Sequence, residues 1–411
     1  MKILFPTLGS YGDVFPLLTL GRELQQRGHE SVIVANPIFQ SLVSKAGLAF
    51  IALGREEDYY NEIEDPNIWH PTRGFQLVVE HGILRMLRQL YEIIRQFDPA
   101  DTMIVSSAFL FGSHIAHETH GYRFCTFHLQ PSLIRSVFAP PVLSNPALPE
   151  WTPAWLVKGY YQSMDRFFID PLLAPVNEFR KELGLPKITR FFEKWIHSSQ
   201  LNLGLFPDWF APPQRDWPEN TYLTGFIPHQ LEGGNLSEDS TRFIQEGEAP
   251  LVFTAGTAML HTKDFFETAV LATQILKRRA ILLSRLKDQI PANLPENIQH
   301  AEFEPLDKLL SQSAAFIYHG GIGSLAQATA AGVPQLVMPM SLDQPDNAAR
   351  IKKLGVGDFV LPRNFKPRLV ADILSGLLSN PKVKENCQKY AQRVDFDKAI
   401  LDTCDLLEQF R

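Results

Sequence analysis

Cysteine is scarce in this chain. Its 411 residues include three, Cys125, Cys387 and Cys404. They are odd in number, far apart and without Cys-x-x-Cys spacing, which speaks against a disulfide framework or a thiolate metal cluster and for a reducing, cytoplasmic setting. Basic charge is also short. Lys and Arg total 39 against 45 Asp and Glu, a net charge of −6, so the chain lacks the basic field that nucleic acid requires, and nucleic acid is not expected as a partner. No apolar run approaches the about 18 to 20 residues of a membrane span. The opening Met1-Lys2-Ile3-Leu4-Phe5-Pro6 is cut short by Pro6 and Gly9 and reads as a buried strand rather than a signal peptide. Repeats and low-complexity tracts are absent. What is present is an ordinary globular composition, 45% hydrophobic and 20% charged, with length for two domains.

The first fifty residues alternate as strand (2–8), helix (16–27, stopped by Gly28) and Val/Ile-rich strand (30–35), a βαβ unit. Helical spacing over 75–97, a buried-strand run at 102–106, and a further helix and strand towards Phe127 extend a parallel, doubly wound sheet. Residues 131–179 break the pattern with crowded Phe, Trp, Tyr and Pro, as an inserted helical and loop region. The polar passage Gly233-Gly234-Asn235-Leu236-Ser237 marks a linker. Alternation then restarts: strand 251–254, helix 265–276, strands 280–283 and 315–318, helix 324–331 and strand 335–338. Two such α/β halves facing each other would bind ligands at the carboxyl ends of their strands.

The chemistry concentrates at one strand end. After the apolar run 314–318 comes His319-Gly320-Gly321-Ile322-Gly323, with Ser324 expected as N-cap of the next helix. Free backbone N–H groups and the positive helix end make an anion site there, and His319 adds a donor that can become cationic beside a diphosphate. Gly321-Ile322-Gly323-Ser324-Leu325-Ala326 also fits part of a dinucleotide fingerprint, with Asp343 about 20 residues on. Asp343 nevertheless follows Pro339-Met340-Ser341-Leu342, past the strand end where a ribose-binding acid belongs.

The stretch His319 to Ser324, with Ala331-Gly332-Val333-Pro334, Pro339, Asp343-Gln344-Pro345 and Asn347-Ala348, resembles the donor signature of family-1 nucleotide-sugar glycosyltransferases of the GT-B fold. The loop Gly9-Ser10-Tyr11-Gly12-Asp13-Val14-Phe15-Pro16 is similar to the opening loop of sterol and glycopeptide-antibiotic glycosyltransferases. Trp69-His70-Pro71, Arg73-Gly74-Phe75 and the run Gln344 to Asn347 resemble the rhamnosyltransferase subgroup.

The resemblance implies a fold of two Rossmann-like domains with parallel sheets facing a central cleft: 1–228 for the acceptor, 229–385 for the nucleotide sugar, and a terminal helix in 386–411 crossing back to the first. It implies that Phe303 stacks on or edges the base while Pro305 fixes the turn, and that His319, Gly320, Gly321, Gly323 and Ser324 hold the diphosphate. Gly256 and Thr257 would add a second phosphate-facing turn, and Asp343 and Gln344 would bind sugar hydroxyls. At Gln327 many relatives carry Glu for the ribose diol; an amide is the weaker clamp, so a UDP-sugar and a dTDP-sugar are both expected donors.

An inverting transfer needs a base near the acceptor oxygen, on the face opposite the diphosphate. Asp13 is the candidate, standing where many relatives have His, with Ser107 where the partner Asp would lie; Asp13 also reads as the N-cap of a helix beginning near Val14. Tyr11, Ser107 and His128 are the expected acceptor contacts. The aromatic stretch 138–168 and the helix 75–97 suit a lipophilic, hydroxylated acceptor, or simply pack the domain. Arg85, Arg88 and Arg95 would meet an acidic acceptor or a membrane surface, or solvent. His114, His117 and His120, three apart, read as a solvated helix face, and neither a metal nor another cofactor is implied. The rivals are a sugar-nucleotide epimerase of the same fold and a nucleotide-sugar sensor that has lost the base.

Overall fold

The computed structural model describes residues 1–65, 67–70, 73–143, 147–149, 151–228, 234–257, 259–260 and 262–410, apart from the side chains of Glu62 and Lys194. Pro71 and Gly233 lie outside the described residues. The chain divides into two compact units, residues 1–227 with 396–411, and residues 228–395.

The first unit is built on a parallel sheet of β1 (Lys2–Pro6), β2 (Glu30–Ala35), β3 (Ala49–Ala52), β4 (Thr102–Ser107), β5 (Arg123–His128), β6 (Leu201–Gly204) and β7 (Thr221–Leu223), in the order β3-β2-β1-β4-β5-β6-β7. The second holds β8 (Leu251–Thr254), β9 (Ala280–Leu283), β10 (Ile298–Ala301), β11 (Ala315–Tyr318), β12 (Gln335–Val337) and β13 (Gly357–Phe359), in the order β10-β9-β8-β11-β12-β13. Strands covered on both faces read as continuous apolar runs, and Ile3, Leu4 and Phe5 of β1, like Leu251, Val252 and Phe253 of β8, are fully buried. In both sheets the strand order reverses beside the unit's first strand, between β1 and β4 and between β8 and β11. Connections leave that point in opposite directions and open a crevice at the strands' carboxyl ends.

Several boundaries differ from the sequence reading. The first helix is Tyr11–Gln26, five residues longer at its start than its apolar spacing suggests, because Ser10 caps it. Pro16 inside it gives up one backbone hydrogen bond. The helix expected from Ser324 is Ile322–Ala330, with Gly321 at the cap position and Ser324 within the first turn. The helix read over 75–97 is Gly74–Leu77, a π-helical turn Val78–Ile83, and Leu84–Ile94. A second π turn, Asp165–Ile169, follows the helix Ala154–Met164.

The last helix, Phe396–Gln409, belongs to the first unit and packs on Tyr11–Gln26, while 386–395 stay with the second. Arg27 Nη1 holds Asp405 at 2.5 Å and Glu408 at 3.1 Å, His29 meets Glu408 at 2.8 Å, and Thr403 donates to Thr224 at 2.8 Å.

Candidate active site

Each reversal point carries one cluster. In the first unit β1 leads into the turn 7–10 and then the helix. Ser10 N–H donates to Asp13 Oδ2 at 2.8 Å and Ser10 Oγ to the same oxygen at 3.3 Å, while Gly12 N–H donates to Ser10 Oγ at 3.2 Å, a reciprocal cap. The carboxylate lies so close to the turn that a Cβ on Gly9 would come within 2.3 Å of Asp13 Oδ2, and Gly9 has φ +118°; only glycine serves there. Burial pushes the Asp13 carboxyl up to about 6, although the Ser10 hydrogen bonds pull it down. The N-cap is thus Ser10 rather than Asp13, which completes the cap from the third helical position and carries a carboxyl raised by burial.

A small pocket opens on the same turn, lined by Thr7, Leu8 and Gly9 with Phe39, Asp58, Tyr59, His81, Gly82 and Met86 among others. The buried Thr7 Oγ1 has no hydrogen-bond partner among the described residues. The helical region 75–97 contributes through its π turn. Tyr11 stands one ring behind the pocket, edge-on to Phe39 at 5.1 Å. Ser107 ends β4, the strand beside β1, and makes no hydrogen bond to Asp13. His128 is fully buried at the end of β5 against His197, Nε2 to Nδ1 3.2 Å, and burial holds it well below its ordinary range. It therefore packs inside the sheet's edge rather than lining the pocket, and nothing from 138–168 stands among the described lining residues.

One further expectation needs correction in part. Of the three histidines read as a solvated face, His120 is exposed and His117 half-buried, but His114 is buried beside Trp195; their ring nitrogens meet Tyr91 Oη, Tyr122 O and Ala108 O respectively. Arg85, Arg88 and Arg95 are exposed to solvent, and each also has an acid beside it within the chain, Asp58 at 2.8 Å, Glu182 at 2.6 Å and Glu92 at 3.3 Å.

In the second unit Tyr318 is in register with Thr254, which sets His319 beside Gly256. The imidazole is wedged between two glycines, since a Cβ on Gly256 would lie 2.6 Å from His319 Cε1 and one on Gly321 2.5 Å from Nε2. Burial drives His319 down to about 4, which favours the neutral imidazole in the ligand-free protein. Its Nδ1 is buried without a partner among the described residues. Ile322, Gly323 and Ser324 open the helix with unpaired N–H groups, an arrangement that suits phosphate oxygens. Thr257 is exposed at the turn after β8, and Gln327 is buried one turn further along the helix.

Asp343 and Gln344 begin the helix Gln344–Leu354 after Leu342, held at φ +60°. Gln344 Oε1 accepts from Met340 N–H at 2.8 Å, leaving its Nε2 donors for a ligand. Asn347, which the sequence presents only as part of a motif, is fully buried and donates from Nδ2 to Gly320 O at 2.9 Å and Asp343 Oδ2 at 2.7 Å. It ties the glycine turn to the acid. Phe303 is 62% exposed beyond β10, with the Arg285 guanidinium 5.6 Å from its ring centre, an open aromatic face and not a core residue. Pro305 starts the next short helix, and the buried Glu304 between them accepts from Ser237 N–H at 3.0 Å and from Ser237 Oγ, anchoring the start of the unit. No sequence signal marks Glu304.

Residues 3–139 match the glycosyltransferase family 28 N-terminal domain, and residues 278–397 match the C-terminal domain of the erythromycin biosynthesis protein CIII-like family. The O-mycaminosyltylonolide 6-deoxyallosyltransferase of Streptomyces fradiae is 25% identical over 100% of this chain and 97% of its own length. The sterol 3-beta-glucosyltransferase of Pichia angusta is 25% identical over 96% of this chain but only 32% of its own. Among solved structures, the glycotransferase of kitacinnamycin superimposes with a TM-score of 0.75 at 19% identity, covering 100% of this chain and 98% of that one. Glycosyltransferase VinC in complex with dTDP gives 0.72 at 18%, covering 100% and 99%.

Proposed function

This chain is a glycosyltransferase of the GT-B family, and from that premise we propose that it moves a hexose from a UDP- or dTDP-sugar to a hydroxyl of a lipophilic acceptor, without a metal and with inversion. The observation that carries this reading is the Asp13 carboxyl, raised to about 6 beside the pocket of the first unit. Asp13 takes the acceptor O–H proton, the oxygen forms its bond to the anomeric carbon, and the bond to the diphosphate breaks with its electron pair leaving on the diphosphate. His319 and the N–H groups of Ile322, Gly323 and Ser324 stabilise that developing charge. Asp343 and Gln344 Nε2 hold the sugar hydroxyls, Phe303 offers its open ring to the base, and the pocket beside the Gly9 turn receives the acceptor hydroxyl. The kinship with macrolide and sterol transferases supports a fused-ring or macrocyclic alcohol.

Gln327 in place of a carboxylate leaves the ribose 2′-hydroxyl weakly read, so UDP and dTDP compete within about tenfold of each other in a thermal-shift and calorimetric panel; a gap of several orders of magnitude would remove Gln327 from the ribose site. Turnover is read as one anomer of product by proton NMR. Donor hydrolysis without an acceptor product would turn the assignment to a sensor, and an isomerised donor sugar to an epimerase.

A further inference from the structure

The first unit carries a large unpartnered apolar surface away from the pocket. Trp151 is 81% exposed, Trp155 71%, Phe167 67% and Phe168 63%, with Leu156 and Tyr160 also exposed, all on or beside the continuous helical stretch 154–169. The stretch is pinned from below. Val157 is fully buried, Asp165 is buried and paired with Arg135 at 2.6 Å, and Tyr161 Oη donates to Ser136 O at 3.3 Å. The π turn at 165–169 buries Asp165 and leaves the neighbouring Phe167 and Phe168 outside. Four large aromatics at this exposure exceed what a soluble surface leaves bare without a partner.

The charges around them decide the partner. Between 151 and 168 the exposed charged residues are Lys158 and Arg166, and neither has an acid partner among the described residues. Phe138 extends the patch next to Ser136 and carries the Arg215 guanidinium 3.7 Å over its ring. The nearby Asp216 spends its two oxygens on Ser136 Oγ and Val137 N–H, both at 2.7 Å. Exposed Trp, Tyr and Phe rimmed by cations, on a chain whose net charge is −6, complement an anionic lipid surface: the rings enter the headgroup layer and the cations meet phosphates. Two copies of this patch would instead set like charges against each other.

We propose that the surface formed by 151–168 with Phe138 docks the protein on anionic lipid bilayers, as a peripheral contact. This inference does not depend on the transferase reading and is tested apart from it. Full-length protein is floated with vesicles of phosphatidylcholine alone and of phosphatidylcholine with phosphatidylglycerol, while tryptophan emission is followed. Binding is expected on the anionic vesicles, with a blue shift. Trp155→Ser with Phe167→Ser should abolish it, and Lys158→Glu with Arg166→Glu should lower it by roughly tenfold or more. Because all four side chains are exposed, the thermal midpoints of these variants stay at the parent value. No uptake by anionic vesicles overturns the proposal, as does uptake that neither variant changes. So does a dimer in sedimentation equilibrium that the aromatic variant dissociates while vesicles are ignored, an outcome that would assign the patch to a second copy.

Discussion

Asp13 serves one carboxylate to two structures, the helix cap and the proposed proton transfer, and the two demands pull its acidity in opposite directions. Ser10 stabilises the ionised form, and burial disfavours it by more, leaving the group at about 6. A raised carboxyl is costly to ionise in the folded state, so its contribution to stability declines as pH rises from the ordinary carboxylate range through 6. Asp13→Asn is therefore expected to lower turnover by at least about a hundredfold, leave nucleotide binding intact, and hold or raise the thermal midpoint at pH 7.5; a midpoint that drops while turnover persists would make Asp13 a cap and nothing more. For the same reason kcat/KM for the acceptor should fall tenfold per pH unit below about 6, the limb being absent from any residual activity of the Asn variant. In the second unit Gly256→Ala drives a methyl group into the His319 ring, and calorimetry should show UDP and dTDP binding lost while a folded protein remains by circular dichroism. The motif residues at both sites could be read from the sequence because glycine, histidine and aspartate in those orders have few other uses. Asn347 and Glu304 could not be assigned roles, since their work is to bridge segments that only the fold brings together.

At the level of elements, the long apolar runs of β1, β2, β8, β9 and β11 were legible from composition alone, whereas β7, β10 and β13 were not. Three or four residues such as Gly357-Asp358-Phe359 or Ile298-Gln299-His300-Ala301 carry no periodicity, and edge pairing makes them strands. Helix starts moved for a related reason: the cap residues Ser10 and Gly321, not the apolar stripe, set where the backbone turns helical. The π turns were invisible, because an extra residue per turn leaves the hydrophobic spacing almost unchanged. One of them positions Asp165 on Arg135, whose guanidinium also lies 4.0 Å from the Phe192 ring centre. Asp165→Ala strands that buried cation and should cost about 3 to 5 kcal/mol in a denaturant titration of the first unit's tryptophans; a loss below about 1 kcal/mol would show the pair to be dispensable.

Across the molecule, buried histidines set the response to acid. His114 is held at about 3, His197 and His319 at about 4, and His128 well below its ordinary value, burial being the main cause each time. Because these folded values lie below the unfolded value near 6.5, the stability they lend is intact above pH 6.5. It is lost as pH falls towards the folded values, when only the unfolded chain takes up protons. His114 alone accounts for about 2 kcal/mol between pH 7.5 and pH 5. Asp13 acts in the opposite sense and relieves part of it. Scanning calorimetry should show the midpoint falling steadily from pH 6.5 to 5, and His114→Phe should flatten that slope.

The return of Phe396–Gln409 to the first unit has a consequence for synthesis. Gly225 lies against Ala399, a Cβ on it being 3.0 Å from that of Ala399, so the chain leaves the first unit and re-enters it at one place, and the second unit is an insertion between those points. During translation the inserted unit is complete some sixteen residues before the first unit receives its last helix. The domain begun first thus receives its last helix after the second unit has been made, and until then Arg27 and His29 lack their partners Asp405 and Glu408.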